Sequence, residues 1–489
     1  MGSVLIATVN CKGKLYGVTA NEYSALAPNI PMALLSSFLA EKQVPVEMID
    51  SDAEGYSIDE LIVLIHDLKP TFVCLIASGS NPSASTMTMV GIIDFCEKFY
   101  EYSDSREIPL IIWGGHPTAL PKRTLLETKA DYLIKGEGYE TLLGLYQTLT
   151  NGKKDLSKVK GLCYFENDTY IENESAPLVD VDSLPMVNWE KMNPSKYRAH
   201  NWHCFGDMKN RTPYAILWTS FGCPYPCNFC CINNVFEKRT FRFRSISSVI
   251  DEIDLLVNKY GVKHIKILDE LFIIKHPRID EFISRMEERK YDVNLWAFAR
   301  VDSVDPRTLE RLKKIGMNWV AYGIESVDRT VLTSTTKRYS QKLVEDLVKW
   351  NRDAGLNICA DAIFGLWDDG YDTMNATRDF LIENNFEWIN IYPGYAYPGT
   401  PLYEEYLQKK IIEEPKSWHQ YSMYGYEGGA LPSKHLTSAQ ILKYRDDTFR
   451  EYFSRPEFLT YLEKKFDAET SDHVKDMVKI KLKRKMLGD

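Results

Sequence analysis

The chain has 489 residues, of which 44% are hydrophobic and 26% charged, and its formal net charge is −9. A chain of this length is too long to fold around one hydrophobic core, so we expect two or three domains. The negative charge argues against general nucleic-acid binding, which depends on neutralising phosphates. No apolar run reaches the ~20 residues that span a bilayer, and the N-terminus lacks the features of a signal peptide.

The first 150 residues alternate strand-like and helix-like segments. Strands are predicted at residues 4–9, 46–49, 72–77, 110–113 and 132–134, with helices at 31–41, 59–68 and 88–99. This alternation predicts a doubly wound parallel sheet, a Rossmann-like domain over residues 1–150. Ligands of such sheets bind beyond the carboxyl ends of the strands, so the loops at 10–17, 78–83 and 114–117 are the ones to inspect.

Two of these loops suit a large ligand with a phosphate and a nucleotide tail. They offer hydroxyls, free backbone N–H groups and close approach to the backbone. The residues concerned are Ser78, Ser80, Asn81, Gly114, Gly115 and His116. Each loop alone is weak evidence, because glycine and serine also form ordinary turns.

A linker is predicted at residues 151–205, which are polar and contain prolines. Strand-like segments then restart at 215–220, 265–268, 294–299, 319–324, 358–364 and 388–392, and Ser247 is expected to cap the first helix between them. Six βα repeats predict a partial (β/α)6 TIM-like barrel over residues 206–405, with its active site at the carboxyl ends of the strands. Residues 406–489 are expected to form a mainly helical cap.

Three cysteines follow the first barrel strand with the spacing Cys-x3-Cys-x2-Cys: Cys223, Cys227 and Cys230. Structural zinc sites use four protein ligands, and iron–sulfur clusters usually take four thiolates. No second group of cysteine or histidine lies nearby in the sequence to complete a set. Three thiolates on a four-iron cluster leave one iron open for a small ligand. A zinc knuckle or simply buried thiols is the alternative.

This spacing, with the aromatic residue Phe229 before the last cysteine, resembles the signature of radical S-adenosylmethionine (SAM) enzymes. The resemblance implies a [4Fe–4S] cluster on Cys223, Cys227 and Cys230, with SAM chelating the open iron. It also implies one-electron cleavage of SAM to a 5′-deoxyadenosyl radical. Phe229 is then expected to pack near the adenine.

The ends of the second and third barrel strands carry candidates for SAM binding. Asp269 and Glu270 resemble the family's acidic site for the SAM amino group, although they also suit a helix start. Arg300 suits the SAM carboxylate, because a guanidinium pairs with carboxylates bidentately. A salt bridge from Arg300 to a barrel acid is the alternative.

The fourth and fifth strands end in further candidates. Glu325 and Ser326 match the acid that in this family usually meets the ribose or methionyl group of SAM. Gly365 has no Cβ, so a flat adenine could lie against its backbone; it could also only permit a turn.

The sequence GGHPTALP followed by DYLIKGEG resembles the cobalamin-binding domain that precedes many radical SAM domains. The resemblance implies cobalamin contacts from Ser78, Ser80 and Asn81 and from the Gly114–Gly115–His116 loop. One departure is that the family's Asp-x-His-x-x-Gly motif, whose histidine binds cobalt, is absent. The loop after the first strand reads NCKGKLYG, so the domain either holds cobalamin without that ligand or serves only as a scaffold.

Together the resemblances predict a cytoplasmic radical SAM enzyme that methylates an unactivated carbon in a small-molecule, natural-product, lipid or peptide substrate. Flavodoxin or ferredoxin would donate electrons, and no nucleic-acid partner or membrane span is expected. A ring-forming or rearrangement enzyme with the same domain pair is one alternative, and a sensor without catalysis is another. The third alternative is a methylthiotransferase that acts on tRNA or ribosomal protein and carries a second cluster on Cys11, Cys74 and Cys96. Against it, Cys96 falls inside a predicted helix and no basic RNA-binding domain follows the barrel.

Overall fold

The computed structural model describes residues 2–17, 23–102, 107–151 and 155–489. These residues form two main sheets, each flanked by helices, and a helical C-terminal region. The predicted α/β fold class is therefore confirmed.

The first sheet has seven strands in the order β2-β1-β3-β4-β5-β6-β7. They are β1 (Val4–Thr8), β2 (Val46–Asp50), β3 (Phe72–Ala77), β4 (Leu110–Gly114), β5 (Tyr132–Ile134), β6 (Leu162–Glu166) and β7 (Thr169–Glu172). Strands β1 to β5 are parallel, and Val4 of β1 pairs with Val46 of β2 and with Phe72 of β3. This order places a topological switch between β1 and β3, where ligands of doubly wound sheets bind.

Helices cover both faces of this sheet. They are α1 (Lys12–Tyr16), α2 (Ile30–Glu41), α3 (Ser51–Glu54), α4 (Ile58–Leu68), α5 (Ala84–Phe99), α6 (Gly115–Ala119), α7 (Pro121–Thr128) and α8 (Tyr139–Thr150). Local sequence explains their starts: the Asn29 side chain accepts a hydrogen bond from the Met32 amide at 3.1 Å, and Ser57 forms a capping box with Glu60.

The first sheet extends further along the chain than predicted. Strands β6 and β7 lie inside the expected linker and continue the sheet as an antiparallel edge. Asn167 and Asp168 join them with φ values of 47° and 62°, the two positive values of a type I′ hairpin turn. Only the part after β7 acts as a connector, and it contains the short helix α9 (Trp189–Met192).

The second sheet has six parallel strands in the order β15-β14-β13-β12-β11-β8, as expected for a partial barrel. The strands of this region are β8 (Tyr214–Leu217), β9 (Ser220–Gly222), β10 (Phe241–Phe243), β11 (His264–Ile267), β12 (Asn294–Ala299), β13 (Met317–Glu325), β14 (Asn357–Phe364) and β15 (Trp388–Pro393). Strands β9 and β10 form a separate antiparallel pair beside it.

The barrel helices are α10 (Ile246–Tyr260), α11 (Pro277–Arg289), α12 (Pro306–Lys314), α13 (Arg329–Ser334), α14 (Gln341–Asp353) and α15 (Tyr371–Asn384). A polar N-cap residue precedes each of them except α15, which follows Gly370. Ser245, not the predicted Ser247, caps α10, because its hydroxyl accepts the Ser248 amide at 3.4 Å.

The C-terminal region is mainly helical, as predicted. It contains α16 (Pro401–Gln408), α17 (Ser438–Ser454), α18 (Pro456–Lys465) and α19 (Ala468–Lys479). Buried Arg445 of α17 donates to the Ile391 carbonyl at 2.6 Å, which holds this helix against β15. None of the helices in the described ranges has the length and apolar character that crossing a membrane requires.

Candidate active site

The cysteine loop begins after Gly222, the last residue of β9. Gly222 has φ of 85°, and a Cβ there would lie 2.3 Å from the Thr240 carbonyl oxygen, so this close approach requires glycine. Cys223, Cys227 and Cys230 follow as half-buried free thiols. Cys227 and Cys230 line a cavity of about 420 Å³. The loop therefore presents its thiols to a space that a ligand can enter.

Burial and the neighbouring Cys227 disfavour ionisation of Cys223 and Cys230. Burial raises the pKa of Cys223 to about 11 and also raises the pKa of Cys230, and a negative charge on Cys227 adds to both effects. Three thiolates can coexist here only with a positively charged partner. Thiolates are the usual ligands of iron–sulfur clusters, so this donor set fits a cluster that leaves one iron open.

Asp269 holds the strand that leads into the cysteine loop. Its carboxylate accepts hydrogen bonds from the amide and the hydroxyl of Thr219 and from the hydroxyl of Ser220, each at 2.6 Å. The residue is only 1% exposed. Asp269 therefore positions the entry to the cysteine loop, and its expected contact with SAM stays a prediction.

Glu270, the next residue, has a different environment. It is half-buried and lines a small cavity together with Ser78, Asn81, Gly115 and Cys231. Within the described residues its carboxylate makes no hydrogen bond or close ion pair. Burial raises its pKa to about 7, and the nearby positive charge of Lys266 opposes that rise. Of the two adjacent acids, only Glu270 is available to a ligand.

Arg300 borders the cysteine loop while making an ion pair. Its guanidinium donates to both carboxylate oxygens of Asp302 at 2.9 Å, which is the salt bridge considered as an alternative. Its Nη1 also lies 3.7 Å from Cys227 Sγ, and its Cζ lies 3.7 Å from the ring centre of Tyr225. A carboxylate bound at the cluster would therefore compete with Asp302 for this cation.

Glu325 is paired with a lysine that the sequence did not single out. Its carboxylate accepts from Lys337 Nζ at 2.5 Å, and both side chains are less than 10% exposed. Burial favours the neutral amine, but the charges of Glu325 and Cys227 raise the pKa of Lys337 above its usual value. Lys337 lies outside any strand or helix, so no periodic pattern could have identified it.

Two other predicted SAM contacts have structural roles. The Ser326 hydroxyl lies 3.1 Å from the Thr377 hydroxyl and accepts from the Asp328 amide at 3.1 Å, just before α13. At Gly365, where φ is 91°, a Cβ would lie 2.7 Å from the Ile441 side chain. α17 thus packs beside Gly365, and the expected SAM contacts of Gly365 and of buried Ser326 stay predictions.

Phe229 contacts the C-terminal region. It packs against a small apolar cluster whose buried members are Ala396, Leu402, Tyr403, Tyr406 and Leu431. The Leu402 amide donates to the Asn228 carbonyl at 3.0 Å, so the start of α16 also contacts the cysteine loop. The expected position of Phe229 near an adenine stays a prediction.

A cavity of about 250 Å³, here called the central cavity, lies between the first sheet and the barrel. Its lining includes Ser78, Ser80 and Asn81 from the sheet and Lys266, Asp361 and Asn390 from the barrel. Lys266 is 5% exposed and donates to the Ser80 carbonyl at 2.9 Å, which joins the two domains. The three predicted residues of the 78–81 loop thus face the barrel interior.

Several buried polar atoms on the central cavity have no hydrogen-bonding partner among the described residues. They include Asp52 Oδ1, His200 Nδ1 and the Tyr395 hydroxyl. Leaving a buried polar group unpaired costs roughly 1–3 kcal/mol, so the cavity is suited to a ligand that supplies polar groups.

The Gly114–Gly115–His116 loop is divided between packing and a cavity. A Cβ at Gly114 would lie 2.1 Å from the Ala77 carbonyl oxygen, so this glycine serves strand packing. Gly115 lines the small cavity beside Glu270. His116 is 2% exposed and packs edge-on against Trp418 at 4.4 Å, and burial lowers its pKa to about 3. His116 Nε2 has no hydrogen-bonding partner among the described residues, and the expected ligand contacts of Gly114 and His116 stay predictions.

The cysteines considered for a second cluster lie apart. Cys74 of β3 belongs to the core on one face of the first sheet, whereas Cys96 of α5 belongs to the core on the other face. Because the sheet separates these two thiols, they cannot share one cluster with Cys11. This arrangement argues against the methylthiotransferase alternative.

Residues 219–381 match the Radical SAM superfamily. This part of the chain is a radical SAM domain. The chain is 27% identical to an uncharacterized methyltransferase of Pyrococcus horikoshii over 436 residues, which cover 88% of this chain and 89% of that protein.

Two solved structures share the overall fold of this radical SAM enzyme. TsrM from Kitasatospora setae, with cobalamin and a [4Fe–4S] cluster bound, has a TM-score of 0.66 at 16% identity and covers 85% of this chain and 76% of its own. OxsB, a cobalamin-dependent SAM radical enzyme with aqua-cobalamin and SAM bound, has a TM-score of 0.68 at 16% identity. The match covers 97% of this chain and 72% of the OxsB chain. The similarity spans both sheets.

The radical SAM assignment implies a [4Fe–4S] cluster and SAM as cofactors and a requirement for a reductant and a substrate. Cys223, Cys227 and Cys230 are the residues that would hold the cluster. Glu270 and Arg300 follow β11 and β12 at the same end of the barrel, and their expected contacts with the SAM amino and carboxylate groups stay predictions.

Proposed function

We propose that this radical SAM enzyme is a cobalamin-dependent methyltransferase that adds a methyl group to an unactivated carbon of a small-molecule, natural-product, lipid or peptide substrate. The observation that carries the proposal is the central cavity, which connects the ligand-binding edge of the first sheet with the barrel interior. The name of the Pyrococcus relative and the cobalamin in the TsrM and OxsB structures agree with it.

Several residues support cobalamin as the ligand of the central cavity. The loop after β1 contributes Lys12, Leu15 and Tyr16 to the lining and no histidine among its described residues, so a corrinoid here would lack a cobalt ligand from that loop. The amide side chains of a corrinoid can pair with the unpartnered atoms of Asp52 and His200. A volume of about 250 Å³ lies below the ~300–1,000 Å³ usual for ligand sites, so the surrounding elements must move apart on binding.

The barrel supplies protection for the radical. Trp296, Phe298 and Tyr392 line the inner part of the central cavity, and such apolar walls exclude water from reactive intermediates. Each turnover would consume two SAM molecules and two electrons from the external reductant. One SAM would be cleaved with one electron and, after a hydrogen atom is taken from the substrate, would end as 5′-deoxyadenosine and methionine. The other SAM would give up its methyl group and end as S-adenosylhomocysteine, and the second electron would return the corrinoid to the form that accepts a methyl group.

A substrate-free assay tests this proposal. The anaerobically reconstituted enzyme is given SAM, a flavodoxin reducing system and hydroxocobalamin, and products are quantified by mass spectrometry. We expect both 5′-deoxyadenosine and S-adenosylhomocysteine, the latter only when cobalamin is present. Formation of 5′-deoxyadenosine alone would instead favour the ring-forming alternative.

Corrinoid binding is measured separately by absorbance titration. We expect one equivalent to bind, and Ser80→Trp, which fills the central cavity, to weaken binding at least tenfold. Glu97→Trp on the exposed face of α5 is the matched control and should bind normally. If the wild-type protein binds no corrinoid at saturation, cobalamin is excluded.

Flavodoxin or ferredoxin as electron donor and a cytoplasmic location stay predictions. All ten cysteines are free thiols in the structure, which agrees with a reducing compartment.

A further inference from the structure

We propose that His203, Cys204 and His264 bind a zinc ion at the end of the barrel opposite the cysteine loop. One ligand atom from each of these residues lies within 4.8 Å of the other two. All three residues are buried, with exposures of 0%, 1% and 2%. Neither the radical chemistry nor the proposed cobalamin site uses them.

The site is separate from the cysteine loop. His203 and Cys204 belong to the short 3-10 helix Trp202–Cys204 of the connector, and His264 is the first residue of β11. Asp269, which anchors the cysteine loop, lies five residues further along that strand direction. At ~3.3 Å per residue this is a separation of about 16 Å, so the two metal sites would bind independently.

His203 is oriented as metal-binding histidines usually are. Its Nε2 lies 3.0 Å from the Asn294 carbonyl oxygen, and because a carbonyl only accepts, Nε2 carries the proton. Its Nδ1 therefore presents a lone pair, and this buried atom has no partner among the described residues. Donation of one ring N–H to a backbone carbonyl, with the other nitrogen on the metal, is the common pattern around zinc.

Cys204 and His264 have the spacing of two zinc ligands. Cys204 Sγ lies 3.6 Å from His264 Nδ1. Zn–S and Zn–N bonds of ~2.3 and ~2.05 Å at the tetrahedral angle place sulfur and nitrogen about 3.6 Å apart. The Asn294 amide donates to the His203 carbonyl at 2.7 Å and to His264 Nδ1 at 3.0 Å. Zinc would replace only the second of these contacts.

The donor set selects the metal class. Two imidazoles and one thiolate suit Zn²⁺ better than the oxygen-preferring Mg²⁺ or Ca²⁺. Three protein ligands are the set of an open zinc site, whose fourth position is left to water. A zinc ion here would also tie the connector to the start of β11, and Asn294 would extend that link to β12.

The test is metal analysis of the full-length protein purified with zinc in the medium. We expect one zinc per chain in the wild type, and the same in Cys223→Ala/Cys227→Ala/Cys230→Ala, which lacks the cluster cysteines. Cys204→Ser and His264→Asn should lose at least nine-tenths of the zinc while keeping wild-type iron content, which reports that each variant still folds. Cys163→Ser, a buried cysteine of β6, is the matched control and should keep its zinc.

Cobalt(II) gives a second readout. When cobalt(II) is bound at this site, the absorbance spectrum should contain a sulfur-to-cobalt charge-transfer band. We expect the band in the wild type and in the cluster-cysteine variant but not in Cys204→Ser. Less than one-tenth of a zinc per chain, with no cobalt band after one equivalent is added, would overturn the proposal. Zinc that disappears with the three cluster cysteines would overturn it as well, because the ion would then belong to the other site.

Discussion

The two walls of the central cavity differ in chemistry. The wall from the first sheet offers short neutral groups on Ser78, Ser80 and Asn81, whereas the barrel wall carries the ionisable side chains of Lys266 and Asp361. Neutral hydrogen-bonding groups suit a large, mostly uncharged ligand, and ionisable side chains suit small polar groups that must be oriented. We infer that substitutions on the sheet wall should affect corrinoid binding, whereas those on the barrel side should affect the cluster, SAM and stability.

The largest expected effect on the barrel side is that of Cys227→Ala. With one of its three ligands removed, the cluster should not assemble, and both iron content and absorbance near 400 nm should fall to background. Cys231→Ala is the matched control, because Cys231 lines the small cavity instead of the one beside Cys227. Unchanged iron in Cys227→Ala would contradict cluster ligation by this residue.

The next effect separates the two adjacent acids. Asp269→Asn puts an amide where three donors converge, so it should lower the free energy of unfolding by about 2 kcal/mol and reduce iron occupancy. Glu270→Gln loses no hydrogen bond and should change stability much less. Anaerobic denaturant unfolding with iron analysis measures both. Equal stability losses would show that the structure assigns these two carboxylates wrongly.

Arg300→Ala should weaken SAM binding and leave the cluster content unchanged. Loss of a charged hydrogen-bonding partner costs roughly 1.5–3 kcal/mol, so SAM affinity should fall at least tenfold while iron content stays constant. Arg311→Ala, which removes an ion pair with Asp280 at the surface, is the control. Unaltered SAM affinity in equilibrium binding would limit Arg300 to its salt bridge with Asp302.

The smallest effect concerns pH. Burial raises the pKa of Asp361 from its ordinary 3.8 to about 7, so the folded carboxyl keeps a proton that the unfolded chain has lost. Its contribution to stability is therefore lost as pH rises from about 4 to 7. Asp361→Asn should flatten the decline of the melting temperature between pH 5 and 8, and exposed Asp447→Asn should not. A parallel decline in wild type and Asp361→Asn would exclude Asp361 as its source.

Much of the fold could be predicted because its signals are local. The strands of both sheets are short buried apolar runs bounded by turns, and β3, β5 and β12 have the predicted ends. The Cys-x3-Cys-x2-Cys spacing likewise lies within one loop, so it indicated the cluster site without knowledge of the fold. The hairpin of β6 and β7 was missed because a polar edge strand resembles a linker in composition.

The remaining site residues depend on contacts between distant parts of the chain. The Asp269 carboxylate accepts hydrogen bonds from a residue fifty positions earlier in the chain. Ile441 packs beside Gly365, and Trp418 packs against His116. The sequence by itself determined the types of element, the cysteine ligands and the barrel edge where chemistry occurs. Only the tertiary structure decided which polar side chains at that edge are free, because packing and hydrogen bonding between distant segments determine which of them are already satisfied.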